Sequence, residues 1–531
     1  MSQWKTAATP VASQALAKAV SLHLSGDPAA AIRELRAALD RGERDAELYS
    51  ALGRIQFERE EFEDAANHYE KLLRLEPAHR TAAFNLAVCL EKLGRWDEAA
   101  ESFQKVLDAD PLFGEAILGA GICQLHLGRL DAALEAFDKC LNRMPGQESA
   151  MFSKAVALQL AGRLEDAGGL YRTILQRNPR SEESLINLIA VDRARNDLDR
   201  VRQSSEQLLA VSPKAERALE GLAAAAFAKG DYGAASQFCA RLVESSPDHF
   251  EGWFNLGVAQ QKAGRHEEAS QAYRQALRLS GNSPQVHVNL GIACQQMGDL
   301  AGARKAYERA LQLDPDQTPA VWNLALVLEQ AGRGDEAEEL YTQLLESDPA
   351  REEARFRQGF LRLQRGDFAG SIEAFEACLR ARQSWTEARV NLGIAYWRAG
   401  DRQAARLAFE EVVVEQPEAV GTLRGLAALA LESDDHLAAL ELHNRLIELG
   451  ERSPELFYNT ALLLQKQGAT DQAVRLYRRA VAEQPAFAEA LLNLGHALQS
   501  LGQEEEAKSC WRKALESKPE LAHGYFEPAS S

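Results

Sequence analysis

Eight asparagines fall on one arithmetic series. Asn85, Asn187, Asn255, Asn289, Asn323, Asn391, Asn459 and Asn493 are separated by 34 residues or by multiples of 34. A primary amide offers both a donor and an acceptor. Amides set in a row can pair with the N–H and C=O of an extended peptide, and so grip backbone without reading side chains. Other candidates for chemistry are weaker. Cys123 and His126 are three apart and could face one way on a helix, but a zinc site needs three or four ligands and no others stand nearby. Gly119-Ala120-Gly121 starts a dinucleotide-type string that lacks its third glycine. There is no phosphate-binding Gly-Lys loop, no nucleophile elbow and no HExxH helix. No residue is nominated as catalytic, no metal or cofactor is expected, and the chain reads as non-enzymatic.

The elements that would carry the asparagines follow from the same spacing. Residues 250–283 and 284–317 align without gaps, so that Asn255 meets Asn289, Gly257 meets Gly291, Gly264 meets Gly298, Ala269 meets Ala303 and Tyr273 meets Tyr307. The frame runs from Ala12 to Leu521 as fifteen repeats of 34 residues. A fixed period of this length marks a stacked repeat architecture. Within the repeat, position 15 is Gly in twelve copies, position 20 is Ala in thirteen, position 24 is aromatic in eleven and position 32 is Pro in eleven. Gly at 15 suits a left-handed helix cap. Pro at 32 stops the second helix, because it lacks an N–H and clashes with the preceding turn. Positions 4, 7, 8 and 11, then 20, 24, 27 and 28, are apolar or small at helical spacing. Small residues at 8 and 20 let two helices approach. The unit is a helix–turn–helix.

This pattern resembles the tetratricopeptide repeat, and Trp253, Leu256-Gly257, Ala269 and Tyr273 match its signature closely. The resemblance implies an all-α, right-handed α-solenoid: a superhelix of about fifteen helix-turn-helix repeats over 12–521, with a flexible tail at 1–11 and a short partial cap at 522–531. It also implies that positions 2, 5, 6, 9, 12 and 13 of each first helix line a concave groove. The asparagines occupy position 6. They are similar to the asparagine ladder in the superhelix of the O-linked N-acetylglucosamine transferases, whose catalytic domain has no room here. Ala51, Gly119, Gly221, Arg357 and Gly425 interrupt the row. The competing reading is that Asn is a tolerated, partly exposed residue against the neighbouring repeat.

The carboxylate clamp of chaperone-tail-binding members, Lys at 5 and Asn at 9, is absent. Those positions are apolar instead, as at Phe254, Val258, Trp322 and Leu326. Glu recurs at position 2, either as a groove rim or simply as a first-turn carboxylate that suits the helix dipole. Repeat six (182–215) departs most from the pattern, with Ile189 at position 8, Asn196 at 15, Val201 at 20 and Ser205 at 24. Bulk at 8 and 20 would push its helices apart or rotate them.

The net charge of −18 argues against nucleic acid, which needs a basic footprint, and against docking on an anionic membrane. Residues 1–11 lack the apolar core of a signal peptide, and no apolar run is long enough to cross a bilayer. A cytoplasmic location is expected. Seven cysteines without a CxxC pair read as small core residues. The function expected is a protein–protein interaction scaffold that holds an extended peptide segment of a partner protein, with no nucleic acid and no direct membrane insertion. Two alternatives are a structural subunit of a secretion, pilus or envelope-assembly machine, and a targeting subunit for a separate glycosyltransferase.

Overall fold

The structure, a computed structural model, describes residues 11–525. It is all-helical: thirty α-helices of 13 or 14 residues, then a 3-10 helix at Pro519–Tyr525. Among the described residues there is no strand. Most repeats contribute one helix from positions 1–13 and a second from positions 17–30, as in Phe250–Lys262 and His266–Leu279, and the others differ by one residue at an end. Residues 1–10 of the expected N-terminal tail lie outside the described residues, while Val11 already opens the first helix. Of the C-terminal segment, 526–531 lie outside them too. The helices form two compact units, Met1–Gly281 and Asn282–Ser531. Inside each unit, helices consecutive in sequence pack on one another.

The turn between the two helices of a repeat is the same every time. Position 15 has positive φ in all fifteen repeats, including the non-glycine residues Glu60 (φ 63°), Asn196 (58°) and Asp434 (55°). A left-handed residue costs L-amino acids Cβ clashes that glycine avoids, which explains the composition of this position. Position 16 then caps the second helix. Asp27, Asp197, Asp231, Asp299, Asp367, Asp401 and Asp435 each accept the N–H of the residue three further on, satisfying one of the free first-turn donors.

Ala at position 20 is fully buried, as at Ala269 and Ala303, and so is the ring at position 24, as at Tyr273, Tyr307 and Tyr341. The ring lies over position 8 of the first helix. A Cβ on Gly291 would stand 2.4 Å from Tyr307, which is why this position is small. Repeat six keeps the architecture with an exchanged core. Ile189 and Val201 are buried beside Ser205, which stands where most repeats carry a ring. The following helix seats closely on them: a Cβ on Gly221 would stand 2.4 Å from Ser205 Oγ and 3.3 Å from Ile189 and Val201. Two polar groups of this repeat are buried without a hydrogen-bond partner among the described residues. Ser205 Oγ is buried without a partner, and Asp192, 1 % exposed, has neither carboxylate oxygen hydrogen-bonded.

Candidate functional site

Position 6 places its side chain beside position 24 of the preceding repeat, but only Asn85 among the eight asparagines bonds the residue there. Asn85 Nδ2 donates to Tyr69 Oη at 3.2 Å. Asn187 and Asn391 turn back onto their own helices and donate to the carbonyls of Glu183 (3.1 Å) and Glu387 (2.8 Å). Asn289 Oδ1 accepts from Gln285 at 3.3 Å. Asn255, Asn323 and Asn459 have no side-chain hydrogen bond to the described residues; Asn255 is exposed and the other two half-buried. Asn493 departs from the expected row. It is 7 % exposed and donates to Tyr458 Oη at 3.0 Å, and the terminal 3-10 helix packs against the helix that carries it. Its amide is spent on the first helix of the preceding repeat and is not presented to a ligand.

The same proximity accounts for gaps in the row. At Gly119 a Cβ would stand 2.3 Å from the Phe103 ring, and at Gly425 3.0 Å from Phe409. Arg357 instead reaches Glu329 Oε1 at 3.1 Å.

The apolar residues flanking the asparagines are half-buried. Phe254 lies tilted against Tyr273 with ring centres 6.2 Å apart. Trp322 meets Tyr341 edge-on at 5.6 Å, and the Arg351 guanidinium stands 4.9 Å over its ring. Val258 and Leu326, one helical turn further, keep part of their surface open. Within each unit, then, an amide and an aliphatic or aromatic surface alternate along the first helices.

Sequence reasoning missed the partner of the position-24 tyrosine. Gln159, Gln261, Gln295 and Gln465, all at position 12, accept from the hydroxyls of Tyr171 (3.2 Å), Tyr273 (2.7 Å), Tyr307 (3.1 Å) and Tyr477 (2.8 Å). Glu329 does the same for Tyr341 at 3.0 Å. A buried hydroxyl requires such a partner. Repeat two has Phe57 at position 12, and there Asn85 reaches Tyr69 instead. The signal was legible as a polar residue twelve places before each of these tyrosines.

The weaker candidates resolve into packing. All seven cysteines are buried and outside any disulfide, and burial pushes the Cys89 thiol up to about 12 and that of Cys239 up to about 11, so both stay protonated near neutrality. Cys123 is buried, whereas His126 stacks on Trp96 with ring centres 3.9 Å apart and planes 5° from parallel. Among the described residues no group of three or more His, Cys, Asp or Glu could hold a metal ion. No described helix is long and apolar enough to cross a membrane.

The sequence matches family profiles described as Tetratricopeptide repeat over residues 16–66, 50–112, 92–148, 191–250 and 390–454, over 295–357 and 464–523, and over 248–316. No curated protein sequence matches it. Among solved structures, it is similar to a tetratricopeptide repeat protein from Parabacteroides merdae at 18 % identity, covering 50 % of this chain and 98 % of that one, with a TM-score of 0.35. It is also similar to the C-terminal part of a TPR repeat-containing protein from Cytophaga hutchinsonii, at 16 % identity over 45 % and 99 % of the two chains and a TM-score of 0.42. A third, YrrB, described as a TPR protein with an unusual peptide-binding site, is 18 % identical over 38 % and 99 %, with a TM-score of 0.33.

Proposed function

Because the chain belongs to the tetratricopeptide repeat family, we propose that it is a non-enzymatic scaffold that holds an extended peptide segment of a partner protein in the groove along its first helices. The observation that carries this reading is the set of uncommitted amides in regular repeats: Asn255 and Asn323 have no partner among the described residues, and Asn289 only accepts. Asn255 stands next to the half-open Phe254 and Val258 in the first unit, and Asn323 next to Trp322 and Leu326 in the second. Magnitudes require both kinds of group. A net hydrogen bond is worth about 0.5–1.5 kcal/mol, and ordering a peptide residue costs about 1–2 kcal/mol. Amides alone would about break even, and the surplus must come from apolar contact.

The test is calorimetry of a bound partner peptide on the wild type and on the Asn255→Ala, Asn289→Ala, Asn323→Ala triple variant. Weaker binding with unchanged helicity is expected; equal affinity would remove the asparagines from the site.

A specific feature favours a second reading, a structural subunit docked through its outer surface. A cleft of about 460 Å³ opens between the second helix of repeat twelve and both helices of repeat thirteen, lined by Val413, Val414, Leu426, Leu429 and Leu442 together with Arg402, Arg406, Arg445, Glu410 and Glu441. Val414 (81 %) and Leu437 (74 %) are the most exposed large apolar side chains among the described residues of that unit. A groove variant that still joins its assembly would support this reading over the first.

A further inference from the structure

We infer that the glutamines at position 12 form a second row of hydrogen-bond donors for an extended peptide, on the opposite edge of the groove from the asparagines, with Gln295 as its working rung in the second unit. The inference rests on the groove reading above and adds residues to it.

The placement follows from helix geometry. Successive residues turn by about 100°, so position 9 lies at the middle of the exposed face, with positions 6 and 12 about 60° to either side. In repeat nine these are Asn289, Ile292 and Gln295, all half-buried. An aliphatic centre is therefore flanked by two amides.

The orientation of the glutamine amide follows from its tyrosine. Tyr307 is fully buried, and its hydroxyl lies 3.1 Å from Gln295 Oε1. The equivalent residue one repeat on is Glu329, 3.0 Å from Tyr341 Oη. A carboxylate can only accept, so the tyrosine at this place is a donor. The glutamine oxygen is thus occupied, and its NH2 is the end left for the open side. Gln159, Gln261 and Gln465 are held in the same way. A tethered side chain has already lost part of the rotamer freedom that binding would otherwise cost, which is the advantage of preorganisation.

Glu329 marks where the row is interrupted. One of its oxygens takes Tyr341 and the other takes Arg357 at 3.1 Å. It offers no donor. The ligand chemistry that fits Gln295 is a backbone carbonyl of an extended segment, with an apolar side chain of that segment over Ile292 and its other edge towards Asn289.

The experiment uses the full chain and, as probe, a fluorescein-labelled peptide selected on the wild type from a random dodecapeptide display library. Gln295→Glu, which replaces the donor by an acceptor, should weaken binding about tenfold, and Tyr307→Phe, which removes only the tether, about threefold. Adding Tyr307→Phe to Gln295→Ala should cost nothing further, because the tether acts only through the glutamine. Wild-type affinity in Gln295→Glu and Tyr307→Phe, with loss in Asn289→Ala, overturns the second row and leaves the groove standing. Wild-type affinity in all of these variants, or a library that yields no binder, overturns both. Should Tyr307→Phe lower the melting temperature, Gln295→Glu decides alone, since its side chain is half-exposed.

Discussion

Gly257 abuts the buried ring of Tyr273: a Cβ there would stand 2.5 Å from Cε1. Yet Ala155, Ala325 and Ala461 occupy the same position against Tyr171, Tyr341 and Tyr477, with all six side chains fully buried. A methyl group is thus accommodated by a small shift of the ring, whereas a branched side chain is not. Gly257→Val should destabilise the protein by about 1–3 kcal/mol, the usual cost of overpacking, and Gly257→Ala by clearly less. Urea unfolding followed by helix circular dichroism compares the two; equal losses would refute the steric account.

Glu60 holds φ at 63° where twelve of its counterparts are glycine. The left-handed conformation costs an ordinary residue roughly 1–2 kcal/mol. Glu60→Gly should therefore raise stability by about 1 kcal/mol, reduced by the greater unfolded-state freedom of glycine. Asn196→Gly should gain less, because a short amide side chain tolerates this region. Paired thermal melts check the order.

Asp192 should make the first unit sensitive to pH. Its carboxylate lies 3.8 Å from Arg172 Nη1 and 3.7 Å from Arg195 Nη1, too far for hydrogen bonds. Burial pushes its pKa up, against the pull of Arg172, Arg200 and Arg195. A folded-state pKa above the unfolded one means the protonated form suits the fold. The contribution is present below the unfolded pKa and is lost as pH rises through the raised folded value, so at neutrality the ionised group is a net cost. Glu165, which pairs with Arg195 and lies 3.5 Å from Arg172, and Asp197, which pairs with Arg200, keep the arginines partnered without it. Asp192→Asn should be more stable than wild type at pH 7, and the gap should close on acidification towards the ordinary Asp range. A gap that widens on acidification would reverse the assigned cause.

Repeat six should open locally at lower cost than the regular repeats. Ser205 forgoes a ring whose burial elsewhere contributes about 1.5–3 kcal/mol, and in a solenoid such a defect stays local. Ile189 and Val201 recover part of that loss. Peptide-resolved native-state hydrogen exchange should show 182–215 exchanging faster than 250–317; equal protection would mean the exchanged core is fully compensated.

The period, the helix pairs and the left-handed turn could be read directly from residue types, because each rests on local physics: 3.6-residue spacing, cap chemistry and the absence of a Cβ. Even Glu60, Asn196 and Asp434 follow the frame, since the packing of the two helices they join outweighs the cost of a left-handed residue. The positions of the asparagines were equally plain. Their availability was not. Whether an amide at position 6 faces a ligand, its own helix or a tyrosine depends on whether position 12 of the preceding repeat already accepts from the tyrosine at position 24, and on what covers the helix. Tyr69 claims Asn85, while Tyr458 takes the buried Asn493. The exchange of Ile189 and Val201 for a ring, and the tethering of Gln295 by Tyr307, likewise arise only when helices distant in the frame come into contact, because packing volume and hydrogen-bond satisfaction are properties of neighbours in space.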